Sequence, residues 1–201
     1  MSLIRAEILG EALALRTAPG LFSPGHVDRG TLAMLSVAGF EAGMKVLDLG
    51  CGCGVVGILA AKKCGAEHVW LVDIDPEAVA VARENAEQNG AGGVTCVVSD
   101  GFKQLEEAGF DLILSNPPYQ SDFAVAKGFI EKGFNRLKIG GRMLMVTKRR
   151  EWYKNKLISV FGGVKIREID GYFVFEAEKR AVNYARRTQK QGHRSDKLPQ
   201  S

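Results

Sequence analysis

The sequence contains no long hydrophobic segment. None of its apolar runs approaches the ~20 residues that a helix needs to cross a bilayer, and no charged start precedes an apolar core as in a secretory signal peptide. We therefore expect a soluble, cytoplasmic protein with no membrane contact. Of the 201 residues, 46% are hydrophobic and 25% are charged, which is enough for one domain with a sizeable core.

Cysteine is also scarce. The four cysteines are Cys51, Cys53, Cys64 and Cys96, and none of them forms a Cys-x-x-Cys pair. Zinc sites normally show such paired spacing, and disulfides are rare in cytosolic proteins. We therefore predict reduced thiols and no metal site.

The net charge of +4 is unevenly distributed. Residues 179–201 carry seven basic residues and one acidic residue, a net +6, so the rest of the chain carries −2. A basic segment with almost no aliphatic residues cannot bury enough surface to fold alone, so 179–201 is predicted to be a disordered tail. Two interpretations of this tail stay open: a solvated segment that aids solubility, or an arm that contacts nucleic-acid phosphates.

The first 40 residues are predicted to form a small extension packed on the main domain. Residues 1–15 could form a helix, but the alternation in ALALRT and the turn signature at 18–20 favour a β-hairpin that ends at 21–22. Gly30 and Thr31 then lead into a short helix before the first central strand.

Strands and helices alternate in the main domain, which we place at residues 41–178. The first predicted strand begins at Val46, and further strands are predicted at 69–75, 94–98, 110–116 and 142–147. One helix is predicted directly after the first strand, and others at 76–90, 124–137 and 151–161. Gly140-Gly141 is predicted to close the helix at 124–137. Asp170-Gly171 then suits the turn of a β-hairpin. This pattern predicts an α/β, Rossmann-like, doubly wound fold with a mostly parallel seven-stranded sheet and a C-terminal antiparallel hairpin.

The segment VLDLGCGCG, from Val46 to Gly54, is the first ligand-binding signal. Three glycines at alternate positions after a strand allow positive φ angles and close approach of a ligand to the backbone. Asp73 ends the next strand, at the spacing where an acidic side chain accepts two hydrogen bonds from a ribose diol. We therefore expect a cofactor that contains a nucleoside.

Two cofactor classes fit these residues. A dinucleotide would use the G-x-G-x-x-G frame from Gly52 to Gly57 and place its pyrophosphate at the helix N-terminus. Asp48, in contrast, could meet an ammonium group or a water, which favours an amino-acid moiety. The third strand ends in SDGF, where Asp100 could accept the adenine amine and Phe102 could cover the adenine ring. A helix-capping Asp100 and a core Phe102 are the alternatives.

The fourth strand ends in SNPPY, residues 115–119. Two consecutive prolines restrict the backbone, and here they would hold the amide oxygen of Asn116 and the carbonyl of Pro117 outward. Two such acceptors can bind both hydrogens of a planar amino group and leave its lone pair aimed at an electrophile, while the Tyr119 ring stacks on its π-face. A simple proline-rich loop is the alternative interpretation.

VLDLGCGCG, VDID, SDGF and NPPY, in this order, resemble the motifs of class I S-adenosylmethionine-dependent methyltransferases, and NPPY is typical of those that modify exocyclic or amide nitrogens. FSPGHVDRGT resembles a stretch of the "methyltransferase small" family, which includes guanine-N2 methyltransferases of small-subunit ribosomal RNA. The resemblance covers about residues 21–178. This sequence shows no duplicated N-terminal domain and has Tyr119-Gln120 where the larger ribosomal-RNA enzymes usually carry Phe-His.

The resemblance implies a cytoplasmic N-methyltransferase that uses S-adenosyl-L-methionine and acts on guanine N2 of ribosomal RNA. The implied catalytic residues are Asn116, Pro117 and Tyr119. The implied cofactor-binding residues are Asp48, Gly50, Cys51, Gly52, Asp73, Ile74, Asp100, Gly101, Phe102 and Asn116. The implied substrate-binding residues are Phe22, Pro118 and Tyr119.

Other functions stay open at this point. A protein glutamine-N5 or a nucleic-acid adenine-N6 methyltransferase would use the NPPY motif in the same way, to orient a planar amino group. A nucleotide-binding Rossmann protein without methyl transfer is a further alternative, but it would give NPPY no role. His26 and Asp28 either line the cofactor site or cap a helix. Trp152, Tyr153 and the basic run 148–150 either contact phosphates or form a solvated helix start. We expect a monomer or a homodimer.

Overall fold

The computed structural model describes residues 2–17, 26–117 and 123–184. Its strands are β1 (Ser2–Ile8), β2 (Glu11–Thr17), β3 (Val46–Leu49), β4 (Val69–Asp73), β5 (Thr95–Val98), β6 (Phe110–Ser115), β7 (Leu137–Thr147), β8 (Lys165–Ile169) and β9 (Tyr172–Glu178). Its α-helices are α1 (Arg29–Leu35), α2 (Val55–Cys64), α3 (Pro76–Gln88), α4 (Phe123–Arg136) and α5 (Arg150–Phe161). None of the helices in these ranges is long and apolar enough to span a bilayer.

Seven strands form one sheet in the order β5-β4-β3-β6-β7-β9-β8. The first five of these pair in parallel, and β9 runs antiparallel to both of its neighbours. The predicted doubly wound, mostly parallel sheet with a C-terminal antiparallel hairpin is confirmed. The chain order reverses between β3 and β6, and in open α/β sheets the ligand crevice lies outside the carboxyl ends of the strands at such a point.

Apolar side chains are buried on both faces of the sheet. Successive residues of a strand point to opposite sides, so each strand contributes to both cores. Val46 of β3 belongs to a core cluster with residues of α1, α2, α3 and the β1–β2 hairpin. Leu47 and Leu49 belong to a second cluster with residues of α4 and α5. All four residues of β3 are buried, so the loop that follows this strand starts from a rigid base.

The predicted N-terminal hairpin is confirmed, but its turn lies elsewhere. β1 pairs antiparallel with β2 from Ser2 opposite Thr17 to Ile8 opposite Glu11. The turn that joins β1 to β2 is Leu9-Gly10, with φ angles of 50° and 79°; the turn predicted at 18–20 falls on residues that the structure does not describe. Two consecutive positive φ angles match the twist of a two-residue hairpin turn. Residues 18–25, which include Phe22, lie outside the described part of the chain.

Two asparagines that belong to or directly follow α3 attach this hairpin to the domain. The side chain of Asn89 accepts the backbone N–H of Ala14 and donates to its carbonyl, and Asn85 does the same for Arg16. Asn85 also donates to the carbonyl of Cys53 in the glycine-rich loop. The hairpin, α3 and that loop are therefore joined through one side chain.

β7 is longer than predicted. It starts at Leu137, directly after α4, so Gly140-Gly141 lies inside a strand and does not close the helix. The pairing of β6 with β7 shifts register between Phe110 and Leu112. A Cβ on Gly141 would lie 2.6 Å from the carbonyl oxygen of Phe110, so only glycine fits this strand irregularity.

The C-terminal hairpin follows the prediction. Asp170 and Gly171 have φ angles of 52° and 78° and join β8 to β9. The described chain ends at Tyr184, so the disorder expected for the basic tail stays a prediction, as does the division into extension, domain and tail.

Candidate active site

A cavity of about 340 Å³ lies at the carboxyl ends of the parallel strands. Residues of four strand ends and of α4 form its wall: Leu49, Gly50, Gly52, Val72, Asp73, Ile74, Asp75, Ser99, Asp100, Gly101, Asn116, Val125 and Phe129. Seven of the ten predicted cofactor-binding residues are among them. A smaller cavity of about 40 Å³ adjoins it and is lined by Thr31, Asp48, Gly50, Cys51, Gly52, Cys53, Val55, Val56 and Asn116.

The glycine-rich loop is pinned to the neighbouring strand. The backbone N–H groups of Gly50 and Cys51 both donate to the carbonyl oxygen of Val72 in β4, at 2.8 and 2.9 Å. Gly50 and Gly52 have φ angles of 79° and 52°, and no atom of the described residues lies within 4 Å of the Cβ position of either. Backbone conformation, and not close packing, therefore favours glycine at these two positions.

Asp73 ends β4 and faces the main cavity. Its Oδ2 accepts the N–H of Gly52 at 2.9 Å, and its Oδ1 accepts the N–H of Asp75 at 3.1 Å. A carboxylate offers about four lone-pair sites, so Asp73 is fixed in place and still has acceptor capacity for a ligand.

Asp48 lines the smaller cavity and is only 3% exposed. Burial raises its pKa to about 7, against the lowering effect of a hydrogen bond from the N–H of Gly57 and with a further raising effect from Asp73. The hydrogen bond from Gly57 to the Asp48 carboxyl is 2.8 Å long. A cation bound beside this carboxyl would favour its charged form.

Gly57 itself does not line either cavity. It lies in α2, where an added Cβ would be 2.5 Å from Cγ of Leu71 in β4. The third glycine of the alternative dinucleotide frame therefore serves close packing of helix on strand, a role that does not discriminate between the two cofactor classes.

The end of β5 departs from the prediction in one residue. Asp100 and Gly101 line the main cavity, but Phe102 is 4% exposed and packs in the core. Instead, Phe129 of α4 lines the cavity, with its ring 3.3 Å from the Cβ position of Gly101. Ile74, 65% exposed, adds a second apolar wall. No sequence pattern separates Phe129 from the core residues of α4.

Asp100 is an exposed acidic residue of the main cavity. Its side chain is 54% exposed and pairs with Lys103. The hydrogen bond and the charge of Lys103 lower the pKa of Asp100. A ligand amine that reaches Asp100 would therefore share it with Lys103.

Asn116 stands between the two cavities and lines both. Its Nδ2 donates to Oδ2 of Asp28 at 2.9 Å and to Oγ1 of Thr31 at 3.0 Å. Its Oδ1 is buried and has no hydrogen-bond partner among the described residues. The amide is thus held by its donor end, and its acceptor end is free within that part of the chain. Pro117 follows as a buried residue.

The segment before β3 supplies this support for Asn116. Asp28 caps α1, since its Oδ2 also accepts the N–H of Thr31 at 2.9 Å. Gly30 lets the helix approach β9, because a Cβ there would lie 2.8 Å from Cδ1 of Tyr172. Of the two roles open for Asp28, helix capping is therefore seen, together with a contact to Asn116 that the sequence did not predict.

The electrostatics of the cavities favour a cationic ligand. Asp73, Asp75 and Asp100 line the main cavity and Asp48 lines the smaller one, whereas no lysine or arginine of the described chain is among the lining residues. A pyrophosphate would meet these carboxylates, and among the described residues Asp100 alone of the four is paired with a cation, Lys103. Burial and the charges of Asp48 and Asp73 raise the pKa of the Cys51 thiol well above its usual value, so this thiol stays neutral and is not a nucleophile.

Several predicted contacts fall on residues outside the described part of the chain. Pro118, Tyr119 and the rest of segment 118–122 lie there, as does Phe22, so their stacking roles stay predictions. No group of three potential metal-ligating side chains occurs among the described residues.

The sequence profile of the methyltransferase small domain family matches residues 12–176 of the chain. The ribosomal RNA small subunit methyltransferase C of Hahella chejuensis is 34% identical over 160 residues, which cover 78% of this chain and 46% of the relative. An uncharacterized Bacillus subtilis protein, YbxB, is 31% identical over 80% of this chain and 83% of its own length.

Among solved structures, a T. thermophilus 16S rRNA N2-guanosine methyltransferase in complex with AdoMet and guanosine superimposes with a TM-score of 0.80. The two sequences are 31% identical, and the match covers 89% of this chain and 50% of that one. The chain thus spans about half the length of the methyltransferases named here.

Proposed function

The chain belongs to the methyltransferase small domain family, and we propose that it is an S-adenosylmethionine-dependent N-methyltransferase that acts on guanine N2 of small-subunit ribosomal RNA. The observation that carries this proposal is the amide of Asn116. Its two donors are engaged by Asp28 and Thr31, and its oxygen is buried without a partner among the described residues.

An orphaned buried acceptor costs about 1–3 kcal/mol of stability, so a ligand donor is the natural partner for the Asn116 oxygen. A planar amino group presents such a donor, and guanine N2 is one. Asp28 fixes which end of the amide faces the ligand, because a carboxylate cannot donate to the amide oxygen. The site therefore prefers a target that donates a hydrogen bond over one that only accepts.

The cavities fit the proposed cofactor. S-adenosylmethionine carries a sulfonium and an ammonium group and, when bound, supplies an electrophilic methyl group. Asp48 would hold the ammonium of its amino-acid part, which would lie against the backbone of the loop 50–52, and Asp73 would hold its ribose. Asp100 would accept the adenine amine, with the apolar side chains of Ile74 and Phe129 on the ring faces.

The contribution of the protein to the rate is placement. Holding the target nitrogen and the methyl donor in line can supply about 7–11 kcal/mol. No histidine lines either cavity in the described part of the chain, and none is required, since a methylated amine loses its extra proton readily. If the target is a base within RNA, it must be turned out of its stack to reach Asn116.

The decisive experiment is transfer of labelled methyl groups from S-adenosylmethionine to ribosomal small subunits, total tRNA and release-factor protein. We expect label in small-subunit RNA, recovered as N2-methylguanosine after nucleoside mass analysis. Label on a protein glutamine or on adenine N6 would replace guanine as the target. Binding of NAD without binding of S-adenosylmethionine, measured by calorimetry, would overturn the methyltransferase itself.

A further inference from the structure

Two consecutive basic residues follow β7 at the same edge of the sheet as the active site. Lys148 and Arg149 are both exposed. Neither forms an ion pair with a carboxylate in the described part of the chain, whereas the next residue, Arg150, pairs with Glu151. Both charges are therefore available for a ligand.

Both charges are held on aromatic rings. The Nζ of Lys148 lies 4.9 Å from the ring centre of Tyr172, and the guanidinium carbon of Arg149 lies 5.0 Å from that of Phe123. The Phe123 ring in turn stacks on Trp152 at 4.4 Å. A guanidinium that rests on a ring uses its flat face there and keeps its in-plane N–H donors for another group.

The sheet register brings these cations and Asn116 to the same edge of the sheet. The last residue pair of β6 and β7 is Ser115 with Met145; Asn116 follows Ser115 directly, and Lys148 follows Met145 by three residues. Adjacent strands are about 4.8 Å apart. Tyr172, which carries Lys148, also packs against Gly30, next to the residues that hold the Asn116 amide.

We propose that Lys148 and Arg149 form a phosphate-binding edge that holds the RNA backbone next to the nucleotide whose base enters the site at Asn116. This inference rests on the proposed function, since it takes RNA as the substrate. Guanidinium and ammonium groups are the standard partners of phosphate oxygens. Their position at the same edge of the sheet as Asn116 would anchor the strand while the base is turned outward.

The test uses the full chain and small-subunit ribosomal RNA in a binding assay over a series of salt concentrations. The variant Lys148→Gln/Arg149→Gln removes both charges. Each phosphate contact to a single strand contributes about 0.7 to the slope of log K against log salt. We expect the slope to fall by about 1.4. If the lines for the two proteins meet near ~1 M salt, this corresponds to roughly 25-fold weaker binding at ~0.1 M salt.

Two control variants separate this role from net charge and from packing. Lys62→Gln/Arg83→Gln removes the same charge from exposed residues of α2 and α3 and should leave the slope unchanged. Lys148→Arg/Arg149→Lys keeps both charges and should retain the slope. Affinity for S-adenosylmethionine, measured by calorimetry, should be the same in all variants.

An unchanged slope in Lys148→Gln/Arg149→Gln, or an equal loss in Lys62→Gln/Arg83→Gln, would overturn the phosphate-binding edge. If the wild-type chain methylates guanine N2 in either of these cases, the proposed function holds and only the phosphate-binding edge is wrong. If the wild-type chain binds S-adenosylmethionine but neither binds nor methylates RNA, both proposals fall.

Discussion

Asn85 and Asn116 are two side-chain amides with opposite hydrogen-bond states. Asn85 is fully buried, accepts the N–H of Arg16 and donates to the carbonyls of Arg16 and Cys53. Asn116 donates twice but keeps a buried oxygen without a partner among the described residues. The Asn85 amide finds its hydrogen-bond partners within the fold, whereas the Asn116 oxygen is available to a ligand.

This difference separates structural from functional polar groups. A satisfied buried amide adds a modest net stability, whereas leaving a buried acceptor unpaired costs about 1–3 kcal/mol. Within the described part of the chain, the Asn116 oxygen is therefore a preorganised acceptor without a partner. The two side chains should respond to the same substitution in opposite ways.

The largest effect is expected for Asn116→Ala. Loss of the free acceptor should slow methyl transfer at least about 10³-fold, equivalent to about 4 kcal/mol. The free energy of unfolding should change by less than about 1 kcal/mol, because the orphaned oxygen is removed together with two hydrogen bonds. Single-turnover kinetics and urea denaturation measure the two quantities, and calorimetry should show nearly unchanged binding of S-adenosylmethionine. Parallel loss of cofactor binding and transfer would contradict this assignment.

Asp48 is an intermediate case, since it is buried and accepts a hydrogen bond from a backbone N–H. Its folded-state pKa of about 7 lies above the usual 3.8, so the native state binds the proton more tightly than the unfolded state. The free energy of unfolding should therefore fall by up to about 4 kcal/mol as pH rises from about 4 to about 7. Above about pH 7, the stabilisation that comes from protonated Asp48 is fully lost.

The variant Asp48→Asn isolates this effect. Urea denaturation of both proteins across this pH range should show the variant gaining stability relative to the wild type as pH rises, with the greatest difference above about pH 7. The amide oxygen of the variant can still accept the N–H of Gly57, so that contact serves as an internal control. Parallel pH profiles for the two proteins would show that folding does not raise the pKa of Asp48.

Asn85→Ala should reverse the pattern of Asn116→Ala. It leaves the N–H of Arg16 and the carbonyl of Cys53 without their side-chain partner, which should cost about 2–3 kcal/mol of unfolding free energy. Transfer by the folded fraction should stay within about tenfold of wild type. Asn89→Ala, at a half-buried position at the end of the same helix, is the matched control and should cost less. If Asn85→Ala affected methyl transfer more than stability, the proposed difference between the two amides would be wrong.

The smallest effect is expected for Asp28→Ser, which tests what holds the Asn116 amide. Serine keeps the helix cap but is too short to replace the contact to Nδ2 of Asn116. We expect transfer to slow about tenfold, through kcat and not through KM for the cofactor, with the melting temperature nearly unchanged. Full activity in this variant would assign Asp28 to capping alone.

Much of this site could be predicted because its signals are local. Gly50, Gly52 and Asp73 follow or end strands that the periodicity of hydrophobic residues identifies, and the ends of parallel strands meet at one edge. The contact from Asp28 to Asn116 could not be predicted in the same way, because it joins residues 88 positions apart.

Aromatic side chains were the least predictable part. Phe102 directly follows a cavity residue yet points into the core, and Phe129, within a helix, reaches the cavity. The direction of a ring depends on the packing of α4 on the sheet, which no local pattern encodes. The turn at Leu9-Gly10 and the strand placement of Gly140 depend in the same way on pairing with distant backbone.

Asn85 and Asn89 have a further consequence for the behaviour of the protein in solution. Four residues along a helix span about 6.0 Å, and two residues along a strand span about 6.8 Å. The two side-chain amides therefore occupy the backbone groups of Ala14 and Arg16 in β2 that would otherwise recruit a strand from another molecule. Helix α3 thus protects the hairpin against intermolecular aggregation at that edge.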